Sequence, residues 1–284
     1  MEPTKAPWAD PKISQDAAAP EAQETPAAAT ARRGVHTGTP VRPLIDAEPQ
    51  LPAVLPHGQP AEWQPAAKRI QTPQDVNAAL KGSTLRSFVA FLLSLSQAVK
   101  GQPSTHQNSL SGPAQAVMRA LDRLSQLCTD TPAVSHAVRY GNPAYRQWFD
   151  SMQQEAPELV YDVLGDELGP ATVELVPYFI DSFGNRSRID YGTGHETTFL
   201  MFLYCLFALG VLKEQDCTPV VLRVFRRYVE LMRQLQTTYW CAATATCASL
   251  ATIVVLDACV HVVSNCVDWH AKATLAQACC GTAF

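Results

Sequence analysis

The sequence predicts an all-α protein: a multi-helix domain flanked by two segments of different composition. Apolar residues recur at three- and four-residue spacing over residues 67–240, and no alternating strand pattern appears before residue 240. With 284 residues, 47% of them hydrophobic, the chain has enough apolar side chains for a substantial core. These observations divide the chain into residues 1–66, 67–240 and 241–284.

The first 66 residues are predicted to be a disordered tail. They hold twelve of the 21 prolines, many alanines and no apolar periodicity. Such a segment cannot bury enough surface to offset its loss of chain entropy. The opening stretch MEPTKAPWADPKISQD lacks the apolar core of a secretory signal and carries acidic residues that a mitochondrial transit peptide avoids. We therefore expect a cytoplasmic protein, with the nucleus as a further location.

Several helices follow from apolar side chains that align on one face. The first covers Leu85, Phe88, Leu92, Leu95 and Val99 and is followed by Lys100 and Gly101, a basic last turn and a glycine stop. The same spacing recurs at Val117, Leu121, Leu124 and Leu127, and again at Val173, Val176 and Ile180. Each set predicts a helix that buries that face.

The last predicted helix runs from Thr218 to Tyr239. Thr218 suits the N-cap and Pro219 the first helical position. The predicted buried face consists of Val221, Val224, Tyr228, Leu231, Leu235 and Tyr239, with arginines between them. An earlier stretch, ETTFLMFLYCLFALG, is apolar nearly all round, so we expect a buried helix that ends near Gly210.

The segment RIDYGTGHE, residues 188–196, gathers polar and flexible residues just before that buried helix. Thr193 and Glu196 have the spacing of a capping box, which explains them without any function. A helix start flanked by glycines also suits an anion such as phosphate, which Arg188 could pair with. The segment is not a Walker A loop, and HETTF is not the zinc-protease motif because residue 199 is Phe.

Charge and composition exclude some partners. The formal net charge is −4, the pI is near 6.0 and only 17% of residues are charged. No basic face is therefore expected to neutralise a phosphate backbone, and we expect no nucleic-acid partner.

Three motifs together resemble the phosphotyrosyl phosphatase activator family. They are RYGNPAYRQWFD at 139–150, SFGNRSRIDYGTGHE at 182–196 and FRRYVELMRQLQTTY at 225–239, and the likeness runs from near Ile70 to Trp240. The resemblance implies an all-helical fold, peptidyl-prolyl cis/trans isomerase activity and ATP binding. It also implies activation of serine/threonine protein phosphatase 2A, with its catalytic and scaffold subunits as partners and a proline-containing peptide as substrate.

The resemblance also implies site residues. The family's nucleotide contacts fall on Arg188, Thr193 and Gly194, which favours the anion site over capping alone, although both can hold together. An isomerase must lower a barrier of about 18–20 kcal/mol to rotation about the peptide bond, and an apolar cleft with a donor near the proline nitrogen is suited to this. We predict Asp190, His195 and Glu196 as its polar members and Tyr191 as a wall of the cleft. A His195 that only tethers two helices is an equally open interpretation.

An aromatic cluster at Tyr140, Tyr145, Trp148 and Phe149 has two interpretations. The residues could shape a peptide groove, but their helical spacing is more typical of core packing. We predict core packing for the cluster.

Residues 241–284 hold six of the nine cysteines and no proline, arginine or glutamate. The run ATIVVLDACVHVV is short for a membrane span and is interrupted by Asp257 and His261, so no membrane is expected as a partner. Cys259, His261, Cys266 and His270 lack the spacing of recurrent zinc sites, so we predict no metal ligands and expect reduced thiols.

The tail also departs from the family. After LQTTYW the family continues through a glycine-rich segment and a long helical half, whereas this chain reads CAATATCASLATIVVLDACVHVV. We therefore expect a truncated or misread gene product that lacks the family's magnesium-binding segment and retains an incomplete site for ATP and Mg²⁺. Two alternatives to the active isomerase stay open: a phosphatase-binding chaperone module without turnover, and an inactive variant.

Overall fold

The computed structural model describes residues 46–55, 62–67, 69–103, 109–135, 141–239 and 242–243. In these ranges the chain forms eight α-helices and two strands of two residues each, which confirms the all-α fold class. The helices are α1 Pro73–Lys81, α2 Ser83–Val99, α3 Gly112–Asp130, α4 Ala144–Leu168, α5 Thr172–Asp181, α6 Thr193–Ala208, α7 Cys217–Pro219 and α8 Arg226–Tyr239. A π-helical segment, Val220–Phe225, joins α7 to α8 without a break.

The core lies between α3, α4, α5, α6 and α8. The helix α4 packs on α3 and α5, while α6 packs on α5 and α8 packs on α3. Phe199 and Phe202 of α6 are fully buried, and burial of such a side chain contributes about 1.5–3 kcal/mol. The two short strands, β1 Asp190–Tyr191 and β2 Ala242–Ala243, pair in parallel.

Most of the predicted helices are confirmed with their buried faces. The face predicted for α2 is buried from Leu85 to Val99, and Gly101 follows at φ +77°. The predicted faces of α3 and of residues 217–239 are likewise buried, and α6 is buried nearly all round before Gly210. These predictions succeed because an amphipathic helix has only one side on which its apolar residues can leave water.

The helix α5 exists, but its predicted face is correct only in part: Val176 and Ile180 are half-buried against the core, whereas Val173 is exposed. Val173 is 43% exposed, and the buried residues are Leu175, Tyr178 and Phe179. Both sets have helical spacing, so periodicity alone cannot choose between them. The aromatic side faces α4 and α6, and it is therefore this side that leaves water.

The cap predicted at Thr218 is also wrong. Helical geometry begins one residue earlier, at Cys217, and the Thr218 hydroxyl donates to the Ala98 carbonyl oxygen at 3.1 Å. The hydroxyl therefore links α7 to the end of α2 instead of closing its own helix.

The ordered part of the chain begins earlier than the composition predicted. Leu51, Leu55 and Trp63 pack against the core, and the amides of Gln50 and Leu55 donate to backbone carbonyls of α2 and α6. An extended segment needs no helical periodicity to dock on a surface that the helices already provide. The rest of the predicted tail, residues 1–45 and 56–61, lies outside the described residues.

The aromatic cluster packs in the core, as predicted. Tyr145 stacks on Trp148 with ring centroids 5.7 Å apart, and the Trp148 indole donates to the Leu124 carbonyl oxygen at 3.1 Å. Phe149 is also buried, whereas Tyr140 lies outside the described residues.

Within the described ranges, no single helix is both long and apolar enough to cross a membrane. The pair α1 and α2 reaches that length and composition only when joined across a bend of 60°. The apolar run and the cysteine and histidine residues of the tail lie outside the described residues.

Candidate functional site

The candidate site is built on the loop that joins α5 to β1 and α6, residues 182–189. Asn185 organises this loop from its centre. Its side-chain Oδ1 accepts hydrogen bonds from the amides of Ser187 and Arg188 at 3.1 and 3.0 Å. The backbone amide of Asn185 donates to the Asp190 carbonyl oxygen at 3.0 Å, and the backbone carbonyl oxygen of Asn185 accepts from the Ile189 amide at 2.8 Å. One asparagine therefore closes the turn that presents Arg188.

Two buried tyrosines hold the base of the loop. The Tyr145 hydroxyl donates to the Phe183 carbonyl oxygen at 2.7 Å, and the Tyr228 hydroxyl donates to the Ser182 carbonyl oxygen at 2.7 Å. Gly184 follows with φ +107°, where a Cβ atom would lie 2.5 Å from the Tyr145 hydroxyl oxygen. The close approach of Tyr145 thus requires glycine at position 184.

An ion pair ties the loop to α4. The Arg186 guanidinium donates to both carboxylate oxygens of Asp150, at 2.5 and 2.8 Å. Arg146, also on α4, donates from Nη2 to the Ser187 carbonyl oxygen at 3.3 Å. Sequence analysis missed these residues, although FGNRSR and RYGNPAYR stand in the motifs that carried the family resemblance.

Arg188, a predicted nucleotide residue, lies at the exposed tip of the loop. Its side chain is 61% exposed, and Nε donates to Asp190 Oδ2 at 2.6 Å. This hydrogen bond raises the pKa of the Arg188 guanidinium above its usual value. The guanidinium has four further N–H groups with which it could pair a phosphate. Arg188 can therefore meet an anion while it stays paired to Asp190.

Asp190, a predicted catalytic residue, has two carboxylate oxygens in different environments. Oδ2 is paired with Arg188, whereas Oδ1 is buried and finds no hydrogen-bond partner among the described residues. An unpartnered buried oxygen is costly, so Oδ1 marks a local destabilisation of the folded loop.

Glu196 and Tyr191 form a buried hydrogen-bonded pair. The Tyr191 hydroxyl donates to Glu196 Oε1 at 2.9 Å and lies 3.4 Å from the Tyr228 hydroxyl. Burial raises the pKa of Glu196, and the hydrogen bond from Tyr191 partly offsets this rise. Burial, with the neighbouring Tyr228 and Glu196, also raises the pKa of the Tyr191 hydroxyl well above 10.0.

His195 joins the start of α6 to the end of α5. Its Nδ1 lies 2.5 Å from the Asp181 carbonyl oxygen, and its ring stacks on Tyr191 with centroids 5.8 Å apart. A carbonyl oxygen can only accept, so Nδ1 carries the proton. Thr198 supports the same junction, since its hydroxyl donates to Gly194 and lies 3.4 Å from the Asp181 carboxylate. This geometry matches the tethering role that the sequence left open for His195.

The predicted capping box at the start of α6 is wrong. The N-cap is Gly192, in extended geometry, and Thr193 is the first residue of the helix. Glu196 binds Tyr191 and so does not reach back to an N-cap amide. Gly194 is buried, and the side chain of Thr193 lies outside what the structure describes. Of the three predicted nucleotide residues, the structure shows only Arg188 at the surface.

Ile189 adds backbone strain to the loop. It has φ +51°, which is uncommon for a β-branched residue, yet its side chain is only 3% exposed. Such a conformation costs about 1–3 kcal/mol and persists where the surrounding structure enforces it. Burial of the side chain and the hydrogen bond to Asn185 hold it here.

A cleft of about 390 Å³ is lined by residues of α4, of α5 and of the loop. Its apolar wall consists of Phe149, Val176, Pro177 and Ile180, and its polar rim consists of Asp181 and residues 184–187. None of Asp190, Tyr191, His195 and Glu196 is among the residues that line it. The predicted catalytic residues therefore do not line this cleft.

No group of three or more His, Cys, Asp or Glu side chains in the described ranges could hold a metal ion. A Mg²⁺ ion is commonly held by one or two carboxylates together with the phosphates of a nucleotide. A Mg²⁺ ion at this site would therefore depend on the phosphates of a nucleotide, because the described side chains alone do not form a metal site.

Comparison with known proteins gives a consistent result. A family model described as "Phosphotyrosyl phosphate activator (PTPA) protein" matches residues 66–249. The chain is 39% identical over 173 residues to a serine/threonine-protein phosphatase 2A activator of Drosophila melanogaster, covering 61% of this chain and 44% of the relative. It is 38% identical over 195 residues to a serine/threonine-protein phosphatase 2A activator 2 of Neurospora crassa, covering 66% and 43%.

A solved structure is similar as well. The crystal structure of the PP2A phosphatase activator Ypa1 PTPA1 matches with a TM-score of 0.59 and 27% identity, over 64% of this chain and 60% of that chain. The present chain spans somewhat less than half the length of the two curated relatives above.

Proposed function

Because the chain belongs to the phosphotyrosyl phosphatase activator (PTPA) family, we propose that it activates serine/threonine protein phosphatase 2A by contact with the catalytic and scaffold subunits. The family match over residues 66–249 carries this proposal. The names of the relatives from Drosophila melanogaster and Neurospora crassa support it, since both are called phosphatase 2A activators. The cytoplasm, with the nucleus as a second location, is the proposed site of action.

The test of activation is a phosphatase assay. Purified full chain, ATP and Mg²⁺ are incubated with a catalytic and scaffold subunit preparation of low activity, and phosphate release from a phosphoserine peptide is measured. A rise in rate that depends on the added chain supports the proposal. No rise at a concentration at which the chain binds the phosphatase in a pull-down argues against activation and leaves only binding.

We further propose that ATP is bound at the tip of the loop, with Arg188 pairing its phosphates. Three observations support this: Arg188 is exposed, its guanidinium keeps four donors beyond the bond to Asp190, and the N-cap of the adjacent α6 is a glycine that has no side chain to cap with. The bound nucleotide would supply a polyanion and carry Mg²⁺, for which Asp190, the carboxylate paired with Arg188, is the proposed protein ligand. Thr193 and Gly194 remain proposed contacts through their backbone amides.

The chain offers a matched control for Arg188. Arg119 is also 61% exposed and is also paired with one carboxylate, that of Asp162 at 2.8 Å. Arg188→Ala should weaken ATP binding at least tenfold, about 1.4 kcal/mol, in isothermal titration, whereas Arg119→Ala should leave the dissociation constant unchanged. Equal affinity of both variants for ATP would remove Arg188 from the site.

For the isomerase activity we propose that the cleft beside Phe149 binds the prolyl segment. The twisted peptide bond of the transition state loses resonance, so an apolar wall and a nearby N–H or O–H donor favour it over the planar ground state. Val176, Pro177 and Ile180 supply the wall, and the side chains of Asn185 and Ser187 at the rim are the proposed donors. Asp190, His195 and Glu196 do not line this cleft, and their direct participation stays a prediction.

A pair of variants on one helix tests the cleft. Val176 lines it, whereas Val173, one turn earlier on α5, is exposed and does not. Val176→Asp should abolish acceleration in a protease-coupled assay with a prolyl peptide, and Val173→Asp should retain it. Loss of activity in both variants would mean that the effect does not arise from the cleft.

The second candidate function is a phosphatase-binding module without turnover. One observation favours it: His195 and Glu196, two of the three predicted catalytic residues, are already bound to Asp181 and Tyr191. The discriminating result is no isomerase acceleration at high protein concentration together with retained phosphatase binding.

A further inference from the structure

The cleft beside Phe149 has one lining side chain whose charge is not balanced. Two ionisable side chains line it, those of Asp181 and Arg186. The Arg186 guanidinium donates to both carboxylate oxygens of Asp150, so its positive charge is matched by that pair. None of the ion pairs formed within the described ranges includes Asp181. The negative charge of Asp181 is therefore left without a cation at the cleft.

Hydrogen bonds compensate the Asp181 carboxylate only weakly. The Thr198 hydroxyl lies 3.4 Å from Asp181 Oδ2 but 3.1 Å from the Gly194 carbonyl oxygen, and it has a single proton to share between them. The shorter contact is the better hydrogen bond. His195 contacts the backbone carbonyl oxygen of Asp181 and not its carboxylate. A half-buried carboxylate with so little compensation gains most from a cationic partner.

The position of Asp181 in α5 adds to the negative potential. Asp181 is the last residue of this helix, and the last turn contains no basic residue. The C-terminal end of a helix carries a partial negative charge, which favours a cation and disfavours a carboxylate. The helix end and the Asp181 side chain therefore attract the same kind of ligand group.

The arginines near the cleft already have other partners. Arg188 Nε donates to Asp190 Oδ2 at 2.6 Å. The pKa of Arg188 is raised first by this bond and to a smaller extent by the charge of Asp181, with which Arg188 forms no ion pair. Arg146 donates to the Ser187 carbonyl oxygen and does not line the cleft. A cation on a ligand would therefore displace no described side chain from Asp181.

The apolar wall and the carboxylate stand next to each other on α5. Pro177 and Ile180 belong to the wall, and Asp181 directly follows Ile180. An occupant that fits both parts has an apolar ring and a positive charge within a residue of it. We infer that Asp181 determines the specificity of the cleft, by selecting prolyl peptides in which a lysine or arginine flanks the proline. This inference deepens the proposed function and rests on it for the cleft as a prolyl site.

The test measures peptide binding by fluorescence anisotropy, without turnover. The probes are three fluorescein-labelled peptides Ala-Xaa-Pro-Xaa-Ala, in which both Xaa residues are lysine, leucine or glutamate. They are titrated with the full chain and with its variants Asp181→Asn, Asp181→Glu and Glu158→Gln. Asparagine keeps an acceptor for Thr198 and removes the charge. Glu158 is exposed on α4 and does not line the cleft, so Glu158→Gln is the control for the same change in net charge.

The lysine probe should bind the unaltered chain about fivefold more tightly than the leucine probe, which corresponds to about 1 kcal/mol for a partly exposed ion pair, and the glutamate probe should bind most weakly. Glu158→Gln and Asp181→Glu should keep this order. In Asp181→Asn the lysine and leucine probes should bind with equal affinity. Circular dichroism checks that each variant is folded, and Asp181→Ser replaces Asp181→Asn should the latter fail this check.

Equal affinity of the three probes for the unaltered chain would overturn the inference, and so would a lysine preference that persists in Asp181→Asn. If the leucine probe binds and its isomerisation is accelerated without any lysine preference, the prolyl cleft stands and the role of Asp181 falls. If no probe binds, the inference and the prolyl cleft fall together. A lysine preference that depends on Asp181, without acceleration, supports the inference and counts against the isomerase activity alone.

Discussion

Gly184→Ala is the substitution for which the structure predicts the largest local effect on the candidate site. Gly184 has φ +107°, and a Cβ atom would lie 2.5 Å from the Tyr145 hydroxyl oxygen and 2.9 Å from the Asp190 carbonyl oxygen. The strained backbone conformation costs about 1–2 kcal/mol for an L-residue. Displacement of Tyr145 and loss of its bond to Phe183 add about 1–3 kcal/mol, since an overpacked site must shift.

A second glycine separates these two contributions. Gly101 also has positive φ, +77°, but nothing lies within 4 Å of its hypothetical Cβ atom. Gly101→Ala should therefore cost about 1 kcal/mol, because the backbone strain is partly offset by the lower entropy of the unfolded alanine chain. Gly184→Ala should cost about 2–4 kcal/mol, and the difference between the variants reports the contact with Tyr145 and Asp190.

The assay is urea unfolding of both variants followed by far-UV circular dichroism, with thermal melting as a check. A loss of 3 kcal/mol corresponds to a fall of roughly 6–12 °C in Tm for an ordered region of this size. If the two alanine variants unfold with the same free energy, the close approach of Tyr145 does not constrain position 184 and the account of the loop base is wrong.

Three further substitutions test other parts of the structure. Partial burial raises the pKa of Glu174 from 4.5 to about 7. Between these two pH values the folded state keeps a proton on Glu174 that the unfolded state has lost. The free energy of unfolding should therefore fall as pH rises through this window. Glu174→Gln should match the parent at pH 4 and be more stable at pH 8 by about 1 kcal/mol, after allowance for partial exposure, as measured by urea unfolding. Tyr228→Phe should lower the free energy of unfolding by about 1–3 kcal/mol, because the buried Ser182 carbonyl loses its donor while the ring can keep its stack on Phe199, and calorimetry would measure this. Asn142→Ala should cost about 2–4 kcal/mol in the same experiment, since this buried amide makes three hydrogen bonds to backbone groups; a loss below 1 kcal/mol would contradict that accounting.

Helix positions in this chain follow from its sequence wherever one face alone is apolar. The helices α2, α3 and α8 meet this condition, and their buried faces were predicted correctly. The helix α5 does not, because Val173, Val176 and Ile180 compete with Leu175, Tyr178 and Phe179 at equivalent spacing. The choice depends on which elements lie beside the helix, and that information is distributed along the chain.

Helix ends were harder to predict than helix faces. Thr218 has the residue type of an N-cap, but its hydroxyl is used by Ala98, which is 120 residues away in the chain. Thr193 and Glu196 have the spacing of a capping box, but Glu196 is used by Tyr191. A polar side chain at a helix start binds the group that the tertiary structure brings nearest. The local sequence spacing cannot predict which group that is.

The candidate site was found by its motif, whereas its construction could not be predicted. The segment 188–196 does form the turn and helix start that its glycines suggested. The pair Arg186 and Asp150 is separated by 36 residues, and the tyrosine bonds that fix the loop base span 38 and 46 residues. These contacts depend on where the fold places α4 and α8 relative to the loop that follows α5, so only the folded structure shows them.

Histidine, glutamate and aspartate can act in catalysis, but they can also hold two helices or loops together by hydrogen bonds. At this loop the hydrogen-bond partner of each side chain distinguishes the two roles. His195 faces a backbone carbonyl that can only accept, so its proton is fixed on Nδ1 and the ring holds α5 to α6. Glu196 is held by the Tyr191 hydroxyl in a buried pair. Asp190 differs, because its Oδ1 has no partner among the described residues and its Oδ2 shares the exposed Arg188. Of the three predicted catalytic residues, Asp190 is therefore the one that keeps a side-chain oxygen without a partner among the described residues.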